Sequence, residues 1–125
     1  MITKPFKDIS LSRLGMGNMR LPEAEGSSGP NAKIDYEKAQ EIIDYAMRHG
    51  VNYYDTAYIY NDGDSERFLG HALQKYPWDS YYLATKFFIQ ATPKPEPVFE
   101  EQLEWLKTDH IDFYLLHSLS EENVE

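Results

Sequence analysis

Three ionisable residues, Asp55, Lys86 and His117, recur in this sequence at equal intervals of 31 residues. Tyr60 follows the first of them by five residues. The interval is about the length of one strand–helix unit, so successive parallel strands would deliver an acid, a cation and an imidazole to one edge of a sheet. Each residue closes a short apolar segment typical of a strand. These segments are Val51–Asp55, Tyr81–Lys86 and Ile111–His117.

Together the four side chains suit one kind of chemistry. A free tyrosine has a pKa near ~10, which is too high for efficient proton exchange at neutral pH. A neighbouring ammonium favours the phenolate, and a carboxylate keeps that ammonium charged and oriented. Phenol and imidazole could then both donate to one carbonyl oxygen and stabilise the alkoxide formed by nucleophilic addition. Since no side chain is an obvious nucleophile, a cofactor would supply it, for example as hydride from a nicotinamide.

Each residue taken alone also has a structural interpretation. A carboxylate at the end of a strand is often a cap, and a lysine there is often solvated. A single histidine is more often structural than catalytic, and His49, His71 and His110 fit such structural roles. Tyr60 is one of ten tyrosines. It is the joint placement on one edge that favours a shared site.

The elements that would position this site alternate along the chain. Asp35 is a candidate N-cap for a first helix, and Gly50 is placed to end it. Asp64 or Ser65 would cap a second helix that runs to about Lys75. Pro93, Pro95 and Pro97 lead into a third helix. The residues predicted on the apolar faces are Ala39, Ile42, Ile43, Ala46 and Met47 in the first helix, Phe68, Leu69, Ala72 and Leu73 in the second, and Val98, Phe99, Gln102, Leu103 and Leu106 in the third.

The segment before the first helix divides into a strand and a loop. Ser10–Leu21 predicts a strand ending in a glycine-containing turn, and Glu23–Lys33 predicts a surface loop rich in glycine, serine and proline. The whole pattern alternates strands and helices, and its strands are almost continuously apolar. Such a pattern predicts an α/β fold with a parallel sheet covered by helices.

Composition narrows the functional classes. The chain has 125 residues, a formal net charge of −9 and no cysteine. An acidic chain repels phosphate groups, which argues against binding nucleic acid or an anionic membrane surface. The lack of cysteine excludes disulfides, zinc fingers and thiolate-bound clusters from these residues. No apolar run approaches the ~18 residues of a membrane span, so we expect a cytoplasmic globular protein.

Short motifs surround the candidate residues in a recognisable order. Residues 50–60 read G-V-N-Y-Y-D-T-A-Y-I-Y, residues 65–70 read S-E-R-F-L-G, and residues 84–86 read A-T-K. Residues 111–117 read I-D-F-Y-L-L-H, and residues 14–22 read L-G-M-G-N-M-R-L-P. Over about residues 11–121, this order and spacing resemble the aldo-keto reductase family, with its G…D-T-A-x-x-Y and S-E-x-x-[LIVM]-G elements, its lysine and histidine strands and its first barrel strand.

The resemblance implies a (β/α)8 TIM barrel that reduces aldehydes or ketones with NADPH. Carried over position by position, Tyr60 would be the general acid and Lys86 would lower its pKa. Asp55 would pair with Lys86, and His117 would orient the carbonyl of a small-molecule substrate. The implied cofactor-binding positions are Gly17, Asn18, Met19 and Asp55, and no metal ligand is implied.

The length of the chain limits what the resemblance can cover. A (β/α)8 barrel needs ~250 residues, so residues 1–125 would be the N-terminal part of the barrel domain, with about four parallel strands and three helices, truncated after the fourth strand. In the family, most groups that hold NADPH come from the second half. One alternative is therefore a truncated relative that binds or oligomerises without catalysing, since open sheet edges favour self-association.

A second alternative is a metal-dependent barrel hydrolase that uses Asp and His at strand ends. Two observations argue against it. No two histidines lie at ligand spacing, and the lysine expected beside Asp55 would compete with a metal ion for that carboxylate.

Overall fold

The computed structural model describes residues 1–91 and 94–123. In that part of the chain, a four-stranded parallel sheet in the order β3-β4-β5-β6 is covered by three α-helices and preceded by an antiparallel hairpin, β1-β2. The elements are β1 (Thr3–Phe6), β2 (Ile9–Ser12), β3 (Met16–Gly17), α1 (Tyr36–Arg48), β4 (Tyr53–Asp55), α2 (Asp64–Ala72), β5 (Tyr82–Phe87), α3 (Pro95–Leu106) and β6 (Phe113–Leu116). The predicted alternation of strands and helices is confirmed.

The register of the sheet places the ends of its strands side by side. Gly17 pairs with Asp55, and Asp55 pairs with Ala84. Lys86 pairs with Leu115. Since all four strands run the same way, their carboxyl ends form one edge, which in open α/β sheets and barrels alike is where ligands bind.

The first helix begins and ends as the sequence predicts. The Asp35 carboxylate accepts a hydrogen bond from the Lys38 backbone N–H at 3.1 Å. Gly50 follows the helix with a φ of +83°, a left-handed conformation that favours glycine. The buried face is narrower than predicted, because Ile43 is fully buried whereas Ile42 remains 38% exposed.

The first predicted strand is wrong, because residues 10–21 belong to two different sheets. Residues 9–12 pair with residues 3–6 in the hairpin, and only Met16 and Gly17 join the parallel sheet. Lys7 adopts a left-handed φ of +55° in the tight turn of the hairpin. Ser12 then donates its backbone N–H to Asn52 Oδ1 at 2.8 Å, and Leu14 is 62% exposed. The chain therefore leaves one sheet and crosses the surface before it enters the other.

The second helix departs from the prediction at its start, and at its predicted end only the type of helix differs. Its N-cap is Gly63, with a φ of +86°, rather than Asp64 or Ser65. The α-helix ends at Ala72, and a single 3-10 turn covers the remaining residues to Lys75. For the third helix, the first helical residue is a proline, as the sequence suggests, while the preceding Pro93 lies outside the described residues.

A continuous apolar core lies between the sheet and its helices. Its members include residues from every helix and from both central strands. The largest fully buried side chains in it are Tyr54, Phe68, Ile43 and Leu69. Among residues 1–91 and 94–123, none of the helices combines the length and the apolar character that crossing a bilayer requires.

The contact between α2 and α3 leaves no room for a side chain at Gly70. A Cβ there would lie 2.2 Å from the Trp105 carbonyl oxygen and 2.9 Å from two backbone atoms of Leu106. We expect Gly70→Ala to lower the free energy of unfolding by about 3 kcal/mol, because the helix backbone it would meet cannot move aside. Urea denaturation measures this loss of free energy of unfolding. The experiment uses the full-length protein, by which we mean the longest natural polypeptide that contains these residues.

The matched control is Gly17→Ala, where a Cβ would meet no atom within 4 Å. The control should shift the urea midpoint far less than Gly70→Ala does. Equal midpoints for the two variants would contradict the packing argument.

Candidate active site

The strand ends bring Lys86 and Asp55 into a close ion pair. The Lys86 Nζ lies 2.7 Å from Asp55 Oδ2 and also donates to the Thr56 carbonyl oxygen at 2.6 Å. The two ionic side chains are 14% and 28% exposed. Both acceptors stand at the end of β4, and the parallel pairing of β4 with β5 brings the ammonium group to them at the carboxyl edge of the sheet.

Tyr60 and His117 lie next to this pair. The Lys86 Nζ is 5.0 Å from the centroid of the Tyr60 ring. The Tyr60 and His117 rings meet edge to face, with centroids 5.8 Å apart and an angle of 87°. Phe88 contacts the His117 ring as well, at a centroid distance of 5.6 Å. The structure thus brings together all four side chains predicted to form the site.

The surroundings of the His117 ring favour its neutral form. Burial lowers the pKa of His117 below its ordinary value, the Lys86 ammonium lowers it further, and the Asp55 carboxylate opposes both effects. A neutral imidazole carries one N–H donor and one acceptor nitrogen. Its Nδ1 atom is buried and has no hydrogen-bond partner within the described residues.

Three of the four predicted cofactor positions, Gly17, Asn18 and Met19, follow one another at the end of β3 and differ in their surroundings. Asn18 is fully buried and donates its backbone N–H and its side-chain Nδ2 to the Asp55 carbonyl oxygen, at 3.0 and 2.9 Å. Its Oδ1 atom is a buried acceptor without a partner in the described structure. Gly17 has open space where a Cβ would stand, and Met19 is 54% exposed.

A cleft of about 740 Å³ opens beside Tyr60 and His117. Its walls come from residues 19–21, 29–30 and 59–61, together with Glu23. Met19 therefore faces the same space as the candidate acid and the imidazole, and a small molecule bound there would contact both.

A comparison with known proteins agrees with this geometry. The family model described as the aldo/keto reductase family matches residues 13–124. The chain belongs to this family.

Individual aldo/keto reductases show the same relationship. The NADH-specific methylglyoxal reductase of Escherichia coli (strain K12) is 33% identical over an alignment of 130 positions, gaps included, that covers 88% of this chain and 39% of that protein. The thermostable aldo-keto reductase Tm1743, solved with the inhibitor epalrestat, superposes with a TM-score of 0.83 at 22% identity, over 98% of this chain and 44% of that one. The aldo-keto reductase of Klebsiella pneumoniae in complex with NADPH superposes with a TM-score of 0.75 at 24% sequence identity, over 94% of this chain and 40% of that one.

Two structural facts follow from these comparisons. The parallel sheet and its helices correspond to part of the (β/α)8 barrel that the resemblance implied. The chain spans less than half the length of each of these three proteins.

The S-E element of the family has a structural role that the sequence did not predict. Both of its residues are fully buried. Ser65 Oγ donates to the Asn18 carbonyl oxygen at 2.7 Å and shares a hydrogen bond of 2.8 Å with Thr56 Oγ1. The start of α2 is thereby tied to the ends of β3 and β4, which explains why Ser65 is unavailable as a cap.

Glu66 lies on the helix side of the sheet, behind the lysine. Its Oε2 accepts hydrogen bonds from Thr85 Oγ1 at 2.9 Å and Gln102 Nε2 at 3.0 Å. Gln102 Nε2 also donates to the Lys86 carbonyl oxygen at 3.0 Å. Burial raises the pKa of Glu66 to about 7, although these hydrogen bonds act in the opposite direction. The only signal for this group in the sequence is its place in the S-E element.

The raised pKa of Glu66 predicts a pH-dependent stability. Since the folded state disfavours the ionised carboxylate, stability should fall as the pH rises from the ordinary pKa of 4.5 to about 7. We expect Glu66→Gln to remove this loss of stability. The free energy of unfolding of the variant should exceed that of the wild type by on the order of 3 kcal/mol above neutral pH and by little at low pH. Urea denaturation of both proteins across this pH range measures the difference.

The control for this prediction is Glu104→Gln, which changes an exposed carboxylate on α3. It should follow the wild-type pH dependence. If Glu66→Gln raised the free energy of unfolding equally at low and high pH, ionisation of Glu66 would not be the cause of the effect.

Proposed function

We propose that this chain carries the proton-transfer groups of a nicotinamide-dependent carbonyl reductase acting on small aldehydes or ketones. One observation carries the proposal. The Lys86 ammonium, fixed by Asp55 and Thr56, stands 5.0 Å from the centroid of the Tyr60 ring, and the His117 ring meets the same ring edge to face. A phenol between an ammonium and an imidazole suits proton donation to a carbonyl oxygen.

In the proposed reaction, the four side chains divide the work. The His117 N–H orients the carbonyl oxygen of the substrate, and the Tyr60 hydroxyl transfers its proton to that oxygen as the alkoxide forms. The Lys86 ammonium stabilises the phenolate that remains, and Asp55 holds the ammonium in place. A reduced nicotinamide, when bound, supplies the hydride that adds to the carbonyl carbon, so the product is an alcohol.

The residues at the end of β3 fit one end of such a cofactor. The unpartnered Oδ1 of Asn18 is an acceptor for an amide N–H, and the open space at Gly17 allows a flat ring to approach the backbone. We propose NADPH as the cofactor, as in the Klebsiella structure, while the Escherichia coli relative is described as NADH-specific.

Two further expectations from the sequence stay predictions. They are a cytoplasmic location and a barrel domain truncated after residue 125.

Hydride transfer by the full-length protein tests the proposal. We expect oxidation of NADPH to depend on an added small aldehyde, and deuterium carried on the nicotinamide ring to appear on the carbinol carbon of the product. NADH in the same assay measures the cofactor preference. Failure to transfer deuterium from either cofactor to any aldehyde or ketone would overturn the proposed function.

The outer strand of the sheet favours a second candidate for the isolated 125 residues, namely self-association without catalysis. On β6, Leu115 and Leu116 are 43% and 58% exposed, and apolar residues on an exposed edge strand favour pairing with another chain. We expect light scattering to show oligomers, and Leu116→Lys to reduce them. A monodisperse monomer that melts cooperatively would contradict this prediction.

A further inference from the structure

The turn that follows Tyr60 has an unusual backbone. Asn61, Asp62 and Gly63 adopt left-handed φ angles of +53°, +53° and +86° in succession. Asparagine, aspartate and glycine are the residue types that best tolerate this conformation, yet it still costs free energy at the first two. Such a conformation persists where surrounding contacts impose it, and it is frequent at functional sites.

The buried contact that ties this turn to a distant segment is made by the Asn61 side chain. Asn61 is 6% exposed, and its Nδ2 donates to the Ala32 carbonyl oxygen at 2.9 Å. Ala32 is itself 1% exposed. Asp64, three residues further on, accepts from the Ile34 backbone N–H at 3.0 Å. The turn that presents Tyr60 is therefore bound to the segment ending near residue 34.

That segment, predicted as a plain surface loop, is a closed lobe (residues 23–33). An antiparallel bridge between Glu23 and Ile34 closes its base, and Ala24 N donates to the Lys33 carbonyl oxygen at 2.8 Å. Inside the lobe, the Lys33 N–H donates to Ser27 Oγ at 2.7 Å. The lobe is thus a folded unit that can hold a fixed position once its base and Ala32 are attached.

The lobe also forms part of the wall of the cleft beside the candidate acid. Gly29 and Pro30 line the same 740 Å³ space as Tyr60 and His117. The Asn61 amide links the two sides of this space directly, since one neighbour of Asn61 is Tyr60 and its hydrogen-bond partner belongs to the lobe. The distance between Pro30 and the tyrosine therefore depends on the Asn61–Ala32 bond.

We infer that the lobe, fixed by Asn61, determines which carbonyl compounds reach Tyr60. Since Gly29 and Pro30 of the lobe line the cleft, loosening the lobe should favour bulky aromatic aldehydes relative to small aliphatic ones. This inference rests on the proposed function and extends it to how the site selects substrates by size. Asn61 acts here as a positioning residue, because it holds the wall and does not itself donate or accept the transferred proton.

Two matched glycine variants of the full-length protein test the inference. Asn61→Gly keeps the left-handed backbone at no steric cost but removes the amide, so the fold should survive. Asp62→Gly makes the same backbone change one residue later, at an exposed side chain. We expect the ratio of kcat/KM for propionaldehyde to that for para-nitrobenzaldehyde to fall about tenfold in Asn61→Gly and to stay unchanged in Asp62→Gly.

Two further measurements separate the outcomes. Hydrogen exchange of residues 24–33 should become faster in Asn61→Gly alone, whether or not the protein is active. Pro30→Trp, at an exposed position on the wall, should raise the same kcat/KM ratio by about tenfold. Unchanged ratios in both Asn61→Gly and Pro30→Trp would overturn the inference. A wild type that transfers hydride to no aldehyde or ketone would overturn the proposed function, and the inference with it.

Discussion

Tyr60→Phe should lower kcat for aldehyde reduction roughly a thousandfold, because it removes the hydroxyl that donates the proton and little else. The phenylalanine ring can keep the edge-to-face contact with His117 and the position 5.0 Å from the Lys86 ammonium. Affinity for NADPH and the urea midpoint should therefore remain near those of the wild type. Steady-state kinetics, with cofactor binding followed by fluorescence, measures the two effects separately.

The matched control is Tyr58→Phe, two residues earlier in the same segment. The Tyr58 ring stacks on Trp105 at 5.2 Å, and its hydroxyl donates to Glu101 at 3.4 Å, so the residue contacts α3. The control should keep its activity. If Tyr60→Phe turned over as fast as Tyr58→Phe, Tyr60 would not be the proton donor.

Lys86→Met should lower kcat by roughly a hundredfold or more, by a different route. Methionine has a similar length but no charge, so Asp55 Oδ2 and the Thr56 carbonyl oxygen lose the donor at 2.7 and 2.6 Å. Without the ammonium, the Tyr60 phenolate is less stabilised. In the direction of alcohol oxidation, where the tyrosine must accept a proton, the defect should shrink as the pH rises.

The pH profile separates this effect from the loss of the tyrosine itself. Tyr60→Phe has no hydroxyl to ionise, so its defect should not shrink at high pH. If kcat of both Tyr60→Phe and Lys86→Met kept the pH dependence of the wild type, the lysine would not act through the tyrosine. Lys75→Met provides the control, since Lys75 makes a comparable ion pair with Asp44 at 2.6 Å on an exposed surface. It should alter neither kcat nor the pH profile.

Much of the fold could be predicted because its signals are local. Asp35 caps α1 through a donor three residues away, and Gly50 ends that helix through its own φ. The interval of 31 residues from Asp55 to Lys86 is one strand–helix unit, so their meeting at one sheet edge follows from the alternation alone.

The predictions failed where a distant group decides the local structure. Asp64 is of a residue type that often caps helices, but its carboxylate accepts hydrogen bonds from the Ile34 N–H and the Tyr36 hydroxyl. Gly63 therefore occupies the cap position. The strand expected over residues 10–21 is divided because the Ser12 N–H pairs with the Asn52 side chain, 40 residues further along.

The sequence by itself therefore determined the alternation of elements, the edge on which Asp55, Lys86 and His117 stand, and the family to which the chain is similar. Only the tertiary structure decided how tightly these groups meet and what supports them. The Asn61–Ala32 bond spans 29 residues, and the bond from Gln102 to Glu66 spans 36. No periodicity or turn signal encodes such pairs, because they form only when packing brings separate elements within hydrogen-bond distance.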